Sequence, residues 1–342
     1  MAILNFKPKQ VTKRLIGSLQ SRAKEVIANR YGLGADSKRM TLEAIGNMYH
    51  ITRERVRQIE NAALSNIRKS EEFKKEKAAF DELEKVLKDA GGIVAEEDFL
   101  AHLSKDETIQ NHINFLLVIG DAFRKEREND EFKHRWYVDP ELSKKVHESL
   151  RKLYGSLSDE DLVSESDLIS QFLEYLKDIS DDYKNEEVLR RWLSIAKNLA
   201  KNPLGEWGLT SSSNVRAKGI RDYAFLAMRK HGSPIHFRDI AKLITDLFKK
   251  KAHPATTHNE LIKDERFVLV GRGLYALSEW GYLSGVVKDV IKKVIDKNGP
   301  LTKDQVIEKV LKERYVKENT ILVNLQNPKF FKKSKEGKYS VM

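Results

Sequence analysis

Apolar residues recur at three- and four-residue intervals along most of this chain, which is the spacing of amphipathic helices. The stretch "TLEAIGNMYHITRERVRQIENAALSNIRK", from Thr41 to Lys69, carries two such stripes. They comprise Leu42, Ile45 and Met48, and then Val56, Ile59, Ala63 and Ile67. Thr41 and Thr52 each stand where a hydroxyl would cap the first free amides of a helix. The pattern predicts two helices joined by the short connection "YHI", a helix-turn-helix.

The second of these helices concentrates positive charge, because Arg53, Arg55 and Arg57 lie within five residues. If Val56 and Ile59 face the core, the opposite side of the first two turns presents Arg53, Glu54, Arg57 and Gln58. Arginine can bind guanine in a bidentate manner, glutamine can bind adenine, and glutamate can accept from the amino group of cytosine. We therefore expect this face to enter the DNA major groove.

Four heptapeptides repeat along the rest of the chain. They are "VAEEDFL" from Val94, "VSESDLI" from Val163, "IHFRDIA" from Ile235 and "LTKDQVI" from Leu301. Each has an apolar residue, three mostly polar residues, Asp or Gln, and then two residues of which the first is apolar. Their starts are separated by 69, 72 and 66 residues, which is about the length of one small domain. The period predicts four tandem copies of one architecture.

Each copy has a helix, a turn containing Gly or Ser, a short helix, a third helix and an aromatic-rich hairpin. The hairpin pattern is clearest in "RFVLVGRGLYAL" and "FFKKSKEGKYSVM", and "FRKERENDEFKHRWYV" is a longer version. Three helices closed by a hairpin make a winged helix. The second copy rests mainly on its spacing, because "NPLGEWGLTSSSNV" is a poor second strand and could be a stub.

The predicted fold class is mainly α, with an N-terminal helix-turn-helix followed by four tandem winged-helix modules. The predicted modules are residues 1–70, the helix-turn-helix; 71–140, a winged helix; 141–215, a degenerate winged helix; and 216–282 and 283–342, two further winged helices. The joint after Lys69 is either a linker or a continuous helix, because "EEFKKEKAAFDELEKVLKDA" has no helix breaker before Gly91.

The net charge of +11 is unevenly distributed. Residues 1–70 carry 14 Lys/Arg against 5 Asp/Glu, whereas residues 71–200 carry 20 against 31. Residues 201–280 carry 14 against 8, and residues 281–342 carry 14 against 7. Segregation of this size indicates that the basic ends meet a polyanion and the acidic middle does not, and nucleic acid is the first candidate.

The remaining composition excludes several kinds of protein. Without cysteine there is no disulfide or thiolate metal site, and a reducing compartment fits best. No apolar run approaches the roughly 18 residues of a membrane-spanning helix, and "MAILNFKPKQ" lacks the core of a signal peptide. His253 and His258 lack an established metal spacing. No catalytic arrangement stands out. We therefore expect a cytoplasmic, nucleoid-associated protein with no enzymatic activity, metal, cofactor, membrane partner or small-molecule substrate.

The segment from about residue 12 to residue 70 resembles region 4 of the sigma-70 family of bacterial RNA polymerase sigma factors. "RAKEVIANRYGLG", the stretch from Thr41 to Lys69 and their spacing carry the resemblance. It implies that the second helix reads the minus-35 promoter element and that the preceding helices dock on the flap of the polymerase β subunit. Asn61 and Ala62 stand where the family commonly has a basic residue. Nothing in the chain resembles the aromatic-rich helix with which sigma factors open the promoter.

The resemblance also assigns roles to individual residues. Base contacts are implied for Arg53, Glu54 and Gln58. Phosphate contacts are implied or expected for Thr52, Arg55, Arg57, Arg68 and Lys69.

A second resemblance covers residues from about 218 to 282, which are similar to the HARE-HTH domain. It rests on "IHFRDIA", "TTHNEL", "RFVLVGRGLYAL" and Trp280. This resemblance implies a winged helix linked to transcription or DNA, without deciding between DNA and protein as its ligand. Secondary DNA contacts are expected from basic residues of the last two modules, namely Lys263, Arg266, Arg272, Lys332 and Lys333.

The expected function is that of a sequence-specific DNA-binding transcription factor. Its partners would be double-stranded DNA, through a minus-35-like promoter element, and RNA polymerase, through the β flap. The alternative is a polymerase-binding protein that competes with or modulates a sigma factor without specific DNA readout. A subunit accessory to an enzyme or nuclease is a third hypothesis, which rests only on where HARE-HTH domains sometimes occur.

Overall fold

A computed structural model describes residues 4–34, 36–283 and 285–342, and these form two compact units. The first unit comprises the described part of Met1–Ala200 together with Trp207–Thr210, and the second comprises Lys201–Glu206 and the described part of Ser211–Met342. The chain is mainly helical with small antiparallel sheets, which confirms the predicted mainly α class. In the described part of the chain, no helix combines the length and the apolar character needed to cross a bilayer.

The helix-turn-helix lies at the start of the first unit. Its helices are α1 (Pro8–Gly17), α2 (Ser21–Tyr31), α3 (Leu42–Tyr49) and α4 (Arg53–Lys69). The Thr41 hydroxyl accepts a hydrogen bond from the Ala44 amide at 3.1 Å, and the Thr52 hydroxyl accepts one from the Arg55 amide at 3.1 Å. Both predicted N-caps are therefore confirmed.

The predicted apolar stripes are confirmed except at one position. Ile45 and Val56 are fully buried, whereas Met48 is 56% exposed, so its assignment to the core is wrong. Tyr49 takes its place beside the cluster around Val26, Ile45 and Val56. The reason is helical geometry, because Tyr49 lies four residues after Ile45 and therefore closer to the same face than Met48 does.

The joint after α4 is neither a flexible linker nor one continuous helix. Helix α4 ends at Ser70, whose backbone is extended, and two shorter helices follow, α5 (Glu71–Lys75) and α6 (Lys77–Asp89). The Ser70 hydroxyl caps α5 by accepting from the Phe73 amide at 3.2 Å. The short break between α5 and α6 is at Glu76, whose carboxylate pairs with Arg14 on α1.

The next segment packs directly on the helix-turn-helix. It contains β1 (Ile93–Ala95), α7 (Glu96–Leu103), α8 (Glu107–Ile119), β2 (Arg124–Glu126) and β3 (Arg135–Tyr137), with the strands in the antiparallel order β1-β3-β2. One apolar core joins this segment to helices α1, α2 and α4. Its buried members include Leu15, Ile27, Ile67, Leu83, Phe115, Leu116 and Trp136.

The third segment completes the first unit. Its elements are α9 (Pro140–Gly155), α10 (Glu165–Tyr175), α11 (Glu186–Ile195), β4 (Leu199–Lys201) and β5 (Trp207–Leu209). Strands β4 and β5 pair, and Val163 bridges to Trp207. The second strand that the sequence indicates so poorly is therefore present, although it is only three residues long.

The second unit contains two segments of matching topology. The first has α12 (Ile220–His231), β6 (Ile235–His236), α13 (Phe237–Phe248), α14 (Pro254–Lys263), β7 (Phe267–Leu269) and β8 (Leu274–Leu277), with the strand order β6-β8-β7. The second has α15 (Val287–Asn298), β9 (Leu301–Thr302), α16 (Lys303–Glu313), α17 (Glu318–Leu325), β10 (Phe331–Lys333) and β11 (Lys338–Val341), with the order β10-β11-β9.

The structure gives the heptapeptide repeat a physical basis. Val94, Ile235 and Leu301 lie in short strands that are followed at once by a helix, and Val163 forms a strand-like bridge shortly before α10. In every copy the first apolar residue pairs with the closing hairpin. The second residue of each heptapeptide is the N-cap of the helix, and the residues after it form the first turns of that helix.

A buried polar cluster lies where β3 meets α9 in the first unit. The Arg135 guanidinium donates from Nε to Nε2 of His147 at 2.7 Å, so the imidazole acts as a neutral acceptor. The Phe132 ring lies 4.5 Å from the imidazole, centroid to centroid. Burial, together with the charges of Arg135 and Arg151, lowers the pKa of His147 to about 4.

We predict that this histidine makes the first unit sensitive to acid. Because the folded-state pKa is below the ordinary 6.5, its contribution to stability is complete above pH 6.5 and is lost as the pH falls towards 4. Between pH 7 and pH 5 the free energy of unfolding should fall by about 2 kcal/mol from this group. Urea titrations followed by tryptophan fluorescence would measure the fall. In His147→Gln, whose amide oxygen can accept from Arg135 without titrating, the fall should be smaller by that amount, and an equal fall would contradict the prediction.

We also predict that the turn between α3 and α4 requires glycine at position 46. A Cβ built on Gly46 would lie 2.6 Å from the Ile51 carbonyl oxygen, whereas one on Gly17 would meet nothing within 4 Å. Gly46→Ala should therefore lower the free energy of unfolding by about 1–3 kcal/mol. Gly17→Ala is the matched control and should change it little. Calorimetry of both variants checks the difference, and equal transitions would show that the turn can open at no cost.

Candidate nucleic-acid interface

The first two turns of α4 present the predicted polar face to solvent. Arg53, Glu54, Arg57 and Gln58 are all exposed, as is Arg55. On the opposite side Val56 is fully buried and Ile59 is half-buried. The orientation inferred from the periodicity is therefore confirmed, although the contacts proposed for these side chains are a separate matter.

Two side-chain pairs run along this exposed face. The Arg57 guanidinium donates to both carboxylate oxygens of Glu54, at 2.8 and 2.6 Å. This pairing lowers the pKa of Glu54 and raises the pKa of Arg57. Arg55 donates from Nη1 to Oε1 of Gln58 at 3.1 Å. Each pair spans three residues, so the side chains lie parallel to the helix surface.

The Arg53 side chain differs from these, because it has no hydrogen bond or ion pair with another described side chain, although its charge helps to lower the pKa of Glu54. Exposed pairs on a helix surface are weak and are screened by salt. The Glu54–Arg57 and Arg55–Gln58 pairs can thus exchange readily for contacts with bases or phosphates. The face offers one free guanidinium and two pairs that hold their members in defined rotamers.

The turn that precedes α4 borders a shallow depression of about 550 Å³. The residues that line this depression include His50, Thr52 and Arg55. His50 has a positive φ of 54° and ends α3. The Thr52 hydroxyl is committed to capping α4, so any phosphate contact of this residue shares that hydroxyl or uses its backbone.

A buried hydrogen bond fixes α4 against α2. The Tyr31 hydroxyl donates to Oε1 of Glu60 at 2.9 Å, and Glu60 is only 9% exposed. The Arg30 guanidinium lies 3.5 Å from the same carboxylate. Burial and the neighbouring carboxylate raise the pKa of Tyr31. The sequence signal for this brace is Glu60 itself, a charged residue that stands in the apolar stripe between Val56 and Ala63.

Helix α8 holds the helix-turn-helix through polar contacts at the edge of the shared core. The Arg39 Nε donates to Asn111 Oδ1 at 2.6 Å, and Asn111 Nδ2 donates to the Ser37 carbonyl at 2.7 Å. Arg68 donates to the carbonyls of Ile119 at 3.0 Å and Val118 at 2.8 Å. These carbonyls close the C-terminal end of α8, where a cation is favoured by the helix dipole.

Arg68 and Lys69, the two residues at the end of α4 that are predicted to contact phosphate, therefore have different surroundings. The Arg68 guanidinium donates hydrogen bonds to the end of α8, and its Nε lies 3.8 Å from Oδ1 of Asp121. Lys69 is exposed on the same helix. Of the two, Lys69 has the side chain that can reach a phosphate without releasing a contact to α8.

The five residues predicted as secondary DNA contacts all lie in the second unit. Arg272 is exposed at the turn between β7 and β8, and Lys332 and Lys333 are exposed on β10. Lys263 is exposed and lies 3.6 Å from Glu260. Arg266 is different, because it donates to Asp264 at 2.6 Å and to Asp222 at 3.1 Å. The guanidinium of Arg266 is thus committed to an internal network.

Comparison with known proteins finds similarity in this same region. The family described as "Sigma-70, region 4" matches residues 15–69. The chain is 45% identical over 56 residues to "RNA polymerase sigma factor SigA" of Nostoc sp., which covers 16% of this chain and 14% of that protein. It is 46% identical over 54 residues to "RNA polymerase sigma factor RpoD" of Helicobacter pylori, which covers 16% of this chain and 8% of that protein.

The shared region is thus a small part of every protein involved, since it spans 14% or less of the length of these relatives. It covers α2, α3 and α4 and only the last three residues of α1. Residues 15–69 are thus a segment similar to sigma-70 region 4.

Proposed function

We propose that this protein is a transcription factor that recognises a promoter element resembling the minus-35 sequence and associates with RNA polymerase at the nucleoid. The observation that carries the proposal is the exposed face of α4. Its charged and amide side chains face solvent at the capped end of a helix whose other side is buried in the core. That arrangement is the one by which a recognition helix presents its N-terminal turns to the major groove.

The base readers in this proposal are Arg53, Glu54 and Gln58. Arg53 is unpaired in the described chain and can bind guanine O6 and N7 with two hydrogen bonds. Gln58 can bind adenine once Arg55 turns to a phosphate, and Glu54 can accept from cytosine once Arg57 does the same. The two exposed pairs thus exchange partners on binding, and the flanking phosphates receive Arg55 and Arg57.

The phosphate contacts complete the interface. Besides Arg55 and Arg57, we assign this role to Lys69 and to the backbone around Thr52. Contacts of this kind position the helix on the duplex without reading sequence. We do not assign a phosphate contact to Arg68, because its hydrogen bonds to α8 would have to break first.

The alternative function, docking on polymerase without specific DNA readout, is less well supported. The resemblance implies that the helices before α4 dock on the β flap. In this chain the buried face of α1 and α2 packs against α8, so a polymerase contact through these helices is restricted to the surface that α8 leaves uncovered. The exposed face of α4 carries no such restriction.

We further propose that the four repeats are winged-helix modules with the boundaries inferred from the sequence, and that residues 218–282 form a HARE-HTH domain. The topology of helix, strand, two helices and hairpin supports this for three copies, and the bridge at Val163 supports it for the other. Secondary DNA contacts would come from the exposed residues Lys263, Arg272, Lys332 and Lys333 rather than from Arg266.

We predict that Arg53→Ala and Gln58→Ala each weaken binding to a duplex with a minus-35-like hexamer by about 1–3 kcal/mol, because each removes a base contact. Binding to a duplex without the hexamer should change much less. Fluorescence anisotropy with both duplexes, at low and high salt, measures the difference. Arg127→Ala, which removes an exposed arginine from the acidic segment, is the control and should bind as the parent protein does. If the parent protein binds both duplexes equally well, specific readout is wrong.

We predict opposite effects for the neighbouring residues Arg68 and Lys69. Lys69→Ala should weaken binding to all duplexes by the same factor. The number of ions released on binding, which is read from the salt dependence of the affinity, should fall by about one. The free energy of unfolding should not change. Arg68→Ala should leave affinity nearly unchanged and lower the free energy of unfolding by about 1 kcal/mol, because the carbonyls at the end of α8 lose a charged donor. Parallel binding and calorimetric measurements check both, and a reversed pattern would place Arg68 on the DNA.

A further inference from the structure

A groove in the second unit combines an apolar surface with positive charge. It has a volume of about 890 Å³ and lies between the β7–β8 hairpin, the residues just before α15, and the segment that joins α16 to α17. The two sides meet through the backbone, because the Tyr315 amide donates to the Val270 carbonyl at 2.8 Å. Gly271 permits this approach, since a Cβ there would lie 2.8 Å from the Tyr315 carbonyl oxygen.

The apolar side chains of this groove are unusually exposed. Nine large apolar side chains are exposed in the described part of the chain, and four of them line this groove. They are Leu269 at 49%, Val286 at 60%, Leu311 at 38% and Tyr315 at 54%. Clustered exposure of this kind marks a binding surface, whereas single exposed apolar residues need no explanation.

The charged residues of the groove are all of one sign. Arg272, Arg314 and Lys317 line it, and no Asp or Glu is among the described lining residues. Arg314 is only 4% exposed and donates from Nη2 to the carbonyls of Leu283 and Gly285. Its Nε has no hydrogen-bond acceptor in the described chain. Burial lowers the pKa of Arg314, and the Glu313 carboxylate, which forms no ion pair with it, offsets only part of that effect.

A buried guanidinium without an anionic partner is costly, and a carboxylate is the group that best offsets its charge. The positive charges of the groove therefore favour an anion. Its exposed apolar side chains favour an apolar surface that covers them. We propose that it binds a segment of a partner protein in which a carboxylate side chain is flanked by apolar side chains. The carboxylate pairs with Arg272 and Lys317 beside the buried Arg314, and the apolar side chains cover Leu269, Val286 and Tyr315.

This occupant fits better than the other candidates. Duplex DNA would satisfy the charges but would leave the apolar side chains against a hydrated phosphate backbone. An enclosed acyl-chain site is unsuited to a surface whose four apolar side chains are each more than a third exposed. A peptide supplies both components, and this interaction is independent of DNA readout by α4.

The chain offers a matched pair of variants for the test. Val286 lies in the groove at 60% exposure, and Val323 lies on α17 outside the groove lining at 63% exposure. Val286→Asp places a carboxylate at the N-cap of α15, where Asp is favoured, so the fold should be retained. Val323→Asp makes the same chemical change on a surface that is not part of the groove.

The experiment is a selection of a random dodecapeptide display library on the full chain. We expect the enriched peptides to share an Asp or Glu between apolar residues, and to bind Val286→Asp at least about tenfold more weakly than the parent while binding Val323→Asp equally well. Arg272→Ala should also weaken these peptides without changing thermal stability. No enrichment, enrichment of basic peptides, or equal binding to both valine variants would overturn the proposal.

Two further outcomes would replace the proposed occupant. If Val286→Asp weakens duplex binding as strongly as Arg53→Ala does, the groove is a DNA surface. If sedimentation shows a dimer of the parent protein that Val286→Asp dissociates and Val323→Asp does not, the groove is an interface between two copies of this chain. In both cases the peptide proposal is wrong, and the proposed role of α4 is unaffected.

Discussion

The arrangement of the first unit depends on the apolar packing of α8 against α1, α2 and the C-terminal half of α4. On its own, the helix-turn-helix has a small central cluster around Val26, Ile45 and Val56. A core of that size is marginal for a segment of about 60 residues. The shared core with α8 buries the rest of the apolar face of these helices, so the recognition helix is held by the following segment as well as by its own neighbours. The cluster around Val56 turns the polar face of α4 outward, and the packing of α8 adds to the burial that holds the helix in this orientation.

Apolar packing alone does not fix the relative position of two helices. The polar contacts at the edge of the core fix it. Asn111 binds two carbonyls of the loop that precedes α3, Arg68 binds the end of α8, and Tyr31 binds Glu60 between α2 and α4. Each contact has one geometry that satisfies its donors, whereas apolar surfaces tolerate small shifts. The same division of labour appears between β3 and α9, where Arg135 and His147 pair inside an apolar cluster.

Local features were the ones that the sequence predicted well. The caps at Thr41 and Thr52 and the outward face of α4 depend on residues within one or two turns of each other. The short strand that opens three of the heptapeptides was not predicted, because its pairing partner lies in a hairpin more than 35 residues later. What the sequence could not predict depends on distant partners. Arg68 and the carbonyl of Ile119 are 51 residues apart, and Arg266 and Asp222 are 44 residues apart. A basic residue read in isolation looks available for DNA, and only the folded chain shows that its donors are already used. Met48 was misplaced for a local reason, because spacings of three and four residues after Ile45 both fit a helical stripe, and the structure packs the residue at the spacing of four, Tyr49, against the core.

The first unit contains both a basic part and an acidic part. Its basic part is the helix-turn-helix, and the segments that follow it are acidic, with 20 Lys/Arg against 31 Asp/Glu in residues 71–200. Opposite charges on one body do not simply cancel, because the screening length is about 10 Å at 0.1 M salt and is shorter than the body itself. The basic helices therefore attract a duplex at close range, while the acidic segments repel it elsewhere. A unit of this kind resists lying on DNA in arbitrary orientations, which favours encounters that begin at α4. If α4 reads DNA as proposed, the acidic segments contribute to recognition by limiting the ways in which the unit can bind.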